Sequence, residues 1–136
     1  MSTSIKPRLL QAYSDLLSFL SPSLIIEVGS WQGRSCIGFL ELAKKLNLAP
    51  KILCVDTWLG SIEHWENREP NSEWAESELE ILNGEPRFLE RFKSTVREFN
   101  FENQVQILRC DSKNSGKFIR ENYGNCDLVY LDASHE

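Results

Sequence analysis

Long apolar runs are missing from this sequence. No stretch approaches the roughly 18 residues that cross a bilayer, and the opening MSTSIKPRLL has no apolar core of the kind that directs secretion. The expected address is the cytoplasm, with no membrane partner. A basic excess is missing too: 15 lysines and arginines face 20 acids, for a formal net charge of -5, so no positive face is available to a dedicated nucleic-acid binder and no nucleic-acid partner is expected. The cysteines Cys36, Cys54, Cys110 and Cys126 lack the paired spacing of metal or redox motifs. In a reducing compartment they read as free thiols that pack as small hydrophobes. Internal repeats, low-complexity tracts and interdomain linkers are absent as well. What remains is a single domain, 1–136, whose 41% hydrophobic residues are enough to build a core.

What is present alternates between two periods. From Arg8 to Leu20, apolar residues fall at Leu9, Leu10, Tyr13, Leu16, Leu17 and Leu20, the spacing of one helical face. After the break at 21–23, Leu24 to Val28 reads as a strand buried on both faces, and Gly29 ends it. Arg34 to Leu46 is helical again, Ile52 to Val55 is a second apolar strand, and Asp56 closes it. Strand, helix and strand within about 30 residues form the unit that gives two parallel strands through a crossover helix. Residues 57–86 interrupt the rhythm and read as an insertion or lid, with a short helix expected around Glu73 to Leu82. Phe88, Leu89, Phe92, Val96 and Phe99 then make a helical stripe, and Val105, Ile107 and Cys110 a strand. Lys117 to Asn122 is expected as a short helix, 123–125 as a turn, and Asp127 to Leu131 as a fourth strand running into Asp132. The fold class is therefore α/β with an open parallel sheet. Its last strand lacks a partner for one edge, an aggregation hazard that points to a domain incomplete at its C-terminus or to a homodimer through that edge.

Chemistry gathers where strands end. Glu27-Val28-Gly29-Ser30-Trp31-Gln32-Gly33-Arg34-Ser35 spans a strand-to-helix turn, where glycine lets a ligand approach the backbone and the helix N-terminus offers free N–H groups. A phosphate loop needs four residues between its glycines and then a lysine; here three intervene and Arg34 follows. The dinucleotide fingerprint fails at Trp31, which stands where a second glycine would touch a pyrophosphate. Glu27 would repel phosphates but suits a ligand carrying an ammonium and a sulfonium, as S-adenosylmethionine does. Asp56, 23 residues beyond Gly33, sits where doubly wound sheets place an acid against ribose hydroxyls, with Trp58 nearby as a wall. Cys110-Asp111-Ser112 follows the third strand on the same rim, where a side chain could meet an adenine amino group; the alternative for Asp111 is a helix cap. Three polar signals after three successive parallel strands favour ligand binding over a plain tight turn.

IIEVGSWQGRS, ILCVDTWLGSIEHW and CDLVYLDASHE together resemble the class I S-adenosylmethionine-dependent methyltransferases, and among them the methyltransferase domain family 24, related to macrolide sugar O-methyltransferases and cephalosporin hydroxylase-like proteins. The resemblance covers 24–136. It implies a Rossmann-like doubly wound sheet of seven strands, of which four are present. It further implies that Glu27, Gly29 and Gly33, with Ser30 between them, surround the methionine part of the cofactor. Asp56, with Thr57 and Trp58, would hold the ribose side, and Asp111 or Ser112 would lie near adenine. In metal-dependent members an aspartate at the position of Asp132 binds a divalent ion, so Asp132 is a candidate half of a magnesium site, the alternative being a cofactor-side or structural carboxylate; His135 is the candidate general base on an acceptor hydroxyl, the alternative being a solvated histidine. The reaction expected is O-methylation of a small hydroxylated acceptor such as a sugar. Its rivals are a non-catalytic binding or interaction module and a nicotinamide-dependent oxidoreductase. His64 is expected in an exposed loop, and Trp65 and Trp74 as anchors of the insertion.

Overall fold

Residues 7–66 and 79–132 are described by the computed structural model. Pro7 opens α1 (Pro7–Leu20), a position where its missing N–H has no intrahelical partner to lose. The helix buries Leu17 completely and lays Tyr13 against Phe39 and Tyr130, with ring centroids 5.1 and 6.2 Å away. β1 (Leu24–Val28), α2 (Arg34–Lys45) and β2 (Lys51–Asp56) follow as the expected strand, helix and strand. After them come α3 (Ile62–Glu66), α4 (Phe88–Glu98), β3 (Val105–Arg109), α5 (Ser112–Tyr123) and β4 (Leu128–Leu131).

The four strands pair in parallel in the order β3-β2-β1-β4. Because parallel connections cross over with one hand, strands added in one direction place their helices on one face, and a reversal moves the next helix to the other. The two apolar layers follow this rule. Phe39 and Leu40 of α2 and Phe88, Phe92 and Val96 of α4 pack with Ile25 and Ile52 on one side. Ile119 and Tyr123 of α5 pack with Ile26, Leu53 and Val55 on the other. β1 and β2 lie inside the sheet and are buried on both faces, whereas the edge strands β3 and β4 leave Ile107, Val129 and Leu131 exposed. The far ends of β1 and β4 are stapled by Asp127, whose Oδ2 accepts from the Ser23 N–H at 2.8 Å, the Ser23 hydroxyl at 2.9 Å and the Leu24 N–H at 3.1 Å.

Three expectations need correction. α5 begins at Ser112 rather than Lys117, because Asp111 caps it by accepting the Asn114 N–H at 2.8 Å; the polar first turn hid that start from a search for apolar spacing. The insertion carries a helix at Ile62–Glu66 that the sequence reading did not place. Of the helix expected at 73–82, residues 73–78 lie outside the described residues; Leu79 is in a 3-10 turn and Leu82 pairs with Glu85 in an isolated antiparallel bridge, so the described part ends before Leu82.

Gly33 caps α2 with φ of 84°, a left-handed conformation that suits glycine. It also faces the core: a Cβ there would stand 2.8 Å from Phe92 Cδ2. Gly33→Ala is thus expected to cost about 2–4 kcal/mol from strained backbone and overpacking together. Adding Phe92→Leu should relieve the overpacking part only. Urea unfolding of the two single variants and the double variant checks this; simply additive costs would contradict the contact.

Candidate active site

The order of the sheet turns back between β1 and β4: α2, which follows β1, lies on one face and α5, which leads into β4, on the other, and a crevice opens at the carboxyl ends of the strands. A cavity of about 1000 Å³ lies there. Each strand supplies one part of its wall: Gly29 and Ser30 after β1, Asp56 with Thr57 and Trp58 after β2, Cys110, Asp111 and Ser112 after β3, and Asp132 after β4. Four stretches distant in sequence are thereby brought together, as expected. His135 and Trp74 lie outside the described residues.

The turns on the β1 and β2 sides are locked to each other. Asp56 accepts the Trp31 N–H on Oδ2 and the Trp58 N–H on Oδ1, both at 2.8 Å, and the Trp58 indole N–H donates to the Trp31 carbonyl at 2.7 Å. Both tryptophans have left-handed backbone, with φ of 43° and 53°, a conformation that bulky residues adopt only where their surroundings impose it. A carboxylate has about four acceptor positions, so Asp56 can serve the two turns and still accept hydroxyls from the cavity. The Trp58 ring is buried against Phe92, with ring centroids 5.1 Å apart. Its role is therefore to brace the wall from behind.

Glu27 and Gly33 do not reach the cavity surface. The freedom of Gly33 is taken up by Phe92, as described above. Glu27 is wholly buried beneath the rim, on the row where Cys54 and Tyr130 are its neighbours in register. Neither of its oxygens has a hydrogen-bond partner. Burial pushes this carboxyl up to about 8; the adjacent Ser30 hydroxyl, outside good hydrogen-bond geometry, favours the charged form, and Asp132 and Asp56 disfavour it. On the same row, burial raises the Tyr130 phenol to about 12, helped by Tyr13 and Asp132 and opposed by Ser35. The buried thiols of Cys36 and Cys54 lie 3.5 Å apart, and all four cysteines are free, as the sequence led one to expect.

Asp111 caps α5, the alternative weighed for it, and also lines the cavity; the bonds from Asn114 hold its carboxyl below the usual range. His64 is corrected: it is 3% exposed rather than on an open loop. Its ring sits against Trp31 and Phe88, at 5.7 and 5.0 Å, and its Nδ1 accepts the Ser61 N–H at 3.0 Å, with the Ser61 hydroxyl at 2.9 Å. In Ser61-Ile62-Glu63-His64 the histidine reaches back to the residue before the helix, as glutamate does in a capping box. That is the signal by which α3 could have been found. Trp65 anchors its segment through an indole N–H to the Leu59 carbonyl at 3.0 Å. Sequence reading also missed Gln32, Arg34 and Ser35 as cavity residues; Arg34 lies 5.9 Å from the Trp31 ring. Among the described residues no three His, Cys, Asp or Glu side chains gather as they would around a metal ion. The described residues around Asp132 therefore do not supply the ligand set that a magnesium site there would need.

A doubly wound parallel sheet with a polar cavity at its reversal point defines a Rossmann-like ligand-binding domain. The sequence pattern of a methyltransferase domain family matches residues 26–136, and the chain belongs to that family. It is 34% identical over 65 residues to rhamnosyl O-methyltransferases of Mycobacterium tuberculosis and Mycobacterium bovis, a match covering 48% of this chain and 26% of those proteins. An O-methyltransferase from Bacillus cereus, solved in complex with SAH, superposes with a TM-score of 0.60 at 17% identity over 98% of this chain and 47% of its own. The O-methyltransferase TomG from Streptomyces achromogenes, in complex with SAM, does so with 0.57 at 16% identity over 96% and 46%. The chain thus spans about half the length of these solved chains, which share its fold. Membership of a methyltransferase family sets aside the nicotinamide reading.

The buried, unpartnered Glu27 makes stability depend on pH in a definite direction. Its carboxyl holds a proton more tightly folded than unfolded, so its contribution is intact below about pH 4.5 and is lost as pH rises toward 8. The whole swing is on the order of 5 kcal/mol at most, from a rise from 4.5 to about 8. Glu27→Gln should flatten this part of the profile and stabilise the ligand-free chain at pH 8. Urea midpoints of both proteins at pH 5 and pH 8 are the measurement, and parallel profiles would contradict the assignment.

Proposed function

We propose that this chain is the cofactor-binding half of an S-adenosylmethionine-dependent O-methyltransferase acting on a small hydroxylated acceptor, a sugar being the class favoured by the rhamnosyl O-methyltransferase relatives. One observation carries the cofactor reading: a wholly buried carboxyl without a hydrogen-bond partner lies between two cavity acids at the sheet reversal. An anionic nucleotide would be repelled there, whereas a ligand with an ammonium and a sulfonium supplies the missing positive partner. In this reading Asp56 accepts the ribose hydroxyls. Asp111 and Ser112 face the adenine, and Gly29, Ser30 and Thr57 shape the wall. The cofactor supplies an activated methyl group, and the chain's own contribution is to position it and keep water from it.

Asp132 lines the β4 side of the cavity; His135, three residues on, is the proposed base. The working location is the cytoplasm, in keeping with the absence, among the described residues, of any helix long and apolar enough to cross a membrane. A homodimer through the exposed edge of β4 belongs to the same proposal.

Calorimetric titration with S-adenosylhomocysteine tests the cofactor reading without the acceptor. Saturable one-to-one binding is expected, weakened at least about tenfold by Asp56→Ala, which removes the ribose acceptor and the tie between the two tryptophan turns. Absence of binding to a chain with native circular dichroism would sink the proposal.

A further inference from the structure

The cavity has two sides. The walls assigned above to the cofactor come chiefly from Gly29, Ser30, Asp56, Asp111 and Ser112; the other side is built by the start of α2 and the segment leading into α3, with Gln32, Arg34, Ser61, Glu63 and His64. A volume of about 1000 Å³ stands at the top of the roughly 300–1,000 Å³ range of single-ligand sites. A second molecule therefore has room beside the cofactor.

Arg34 is the one lysine or arginine among the described lining residues. Its guanidinium lies 5.9 Å from the centre of the Trp31 ring, and Trp31 in turn packs against His64 and Phe88. The acids nearby have turned to other partners. Asp56 accepts the Trp31 and Trp58 N–H groups, Asp111 accepts from Asn114, and Glu63 has the Ser61 hydroxyl, which lowers its carboxyl. No ion pair of Arg34 forms among the described residues. The cofactor's own carboxylate does not require this cation. α2 opens on Gly33 without a side-chain cap, so its first-turn N–H groups are available to an anion. The Ser30 hydroxyl lies buried at the same turn with no partner in good geometry. In the cofactor reading these groups receive the carboxylate of S-adenosylmethionine, and the guanidinium is left for another ligand.

Resting on that reading, we propose that the hydroxylated acceptor is itself an acid, a sugar carboxylate of the uronic type, and that Arg34 binds its carboxylate. A guanidinium presents paired N–H donors that match the two oxygens of a carboxylate, and contact with the Trp31 ring holds its plane. A phosphate fits the same fork but carries more negative charge, and Asp56, Glu63, Asp111 and Asp132 line the same cavity. Their repulsion grows with the charge of the ligand, which favours a singly charged carboxylate. A neutral sugar would gain only ordinary hydrogen bonds from Arg34.

The whole chain is first saturated with S-adenosylhomocysteine; ligand-observed NMR then measures the affinities of glucuronate, glucose and glucose 6-phosphate at low and high salt. Glucuronate and glucose share a ring and its hydroxyls and differ at one carbon, so their ratio isolates the carboxylate. At low salt glucuronate is expected to bind about tenfold tighter than glucose, with the ratio shrinking as salt rises. Arg34→Gln should bring the ratio to about one or below, and Arg34→Lys, which keeps the charge and loses the fork, to about threefold. Affinity for S-adenosylhomocysteine is expected to hold in both variants. Equal binding of glucuronate and glucose overturns the proposal, as does a preference that survives Arg34→Gln. Tighter binding of glucose 6-phosphate than of glucuronate overturns it in favour of a phosphate. An Arg34→Gln variant whose loss falls on S-adenosylhomocysteine, with the sugar ratio unchanged, overturns it in favour of the cofactor's carboxylate. If S-adenosylhomocysteine binds and no sugar does, this proposal falls alone; if S-adenosylhomocysteine does not bind a folded chain, the cofactor reading falls and takes this one with it.

Discussion

The Asp56 carboxylate is the tie on which the rest of the site depends. It stands at the end of β2 but receives a backbone N–H from the turn after β1 and another from the turn after its own strand. Without an acceptor there, two tryptophans in left-handed backbone would lose the bonds that their backbone N–H groups make. The Trp58 indole closes the link by donating to the Trp31 carbonyl, and its ring transmits the arrangement to Phe92 in the core. From Phe92 the chain of contact returns to Gly33, the residue that starts α2. The cavity wall, the helix start and the core layer on that face thus form one mechanical unit, and side chains expected to touch ligand spend much of their bonding on one another.

Beneath this unit the protein tolerates a group that an apolar sheet would exclude. Glu27 occupies a central strand position flanked in register by Cys54 and Tyr130, with Ile25 and Ile26 before it on the same strand. A neutral carboxyl there is less costly than an ionised one, yet two oxygens without partners remain unfavourable in the ligand-free protein. Native interiors hold few such groups.

Much of the fold was legible because burial imposes periodicity. β1 and β2 are buried on both faces, so Leu24 to Val28 and Ile52 to Val55 read as continuous apolar runs, and the stripes in α2 and α4 face a single layer. The start of α5 was illegible for the opposite reason: its first turn is polar, and Ser115 is its one buried residue. The lining of the cavity was legible where a polar residue stands at or just past the end of a strand, as at Asp56, Asp111 and Asp132. It was misread where a residue's purpose comes from tertiary packing. Gly33 looked like a ligand contact and serves Phe92; His64 looked like a surface residue because its neighbours in sequence are polar, while its neighbours in space are Trp31 and Phe88. Only pairing across the chain could have revealed either.

The staple at Asp127 has a consequence for how the domain assembles. It joins residues 103 and 104 positions apart, whereas the first pair of strands, β1 and β2, meets across the single crossover from Leu24 to Lys51. Closing the longer loop costs about 1 kcal/mol more in chain entropy, close to two doublings of length at about 0.6 kcal/mol each. Non-local pairing of this kind also slows folding. Three walls of the cavity can form from β1, β2 and β3 with their local helices, and the wall bearing Asp132 is the one whose assembly waits on the most distant strand pairing among the described residues.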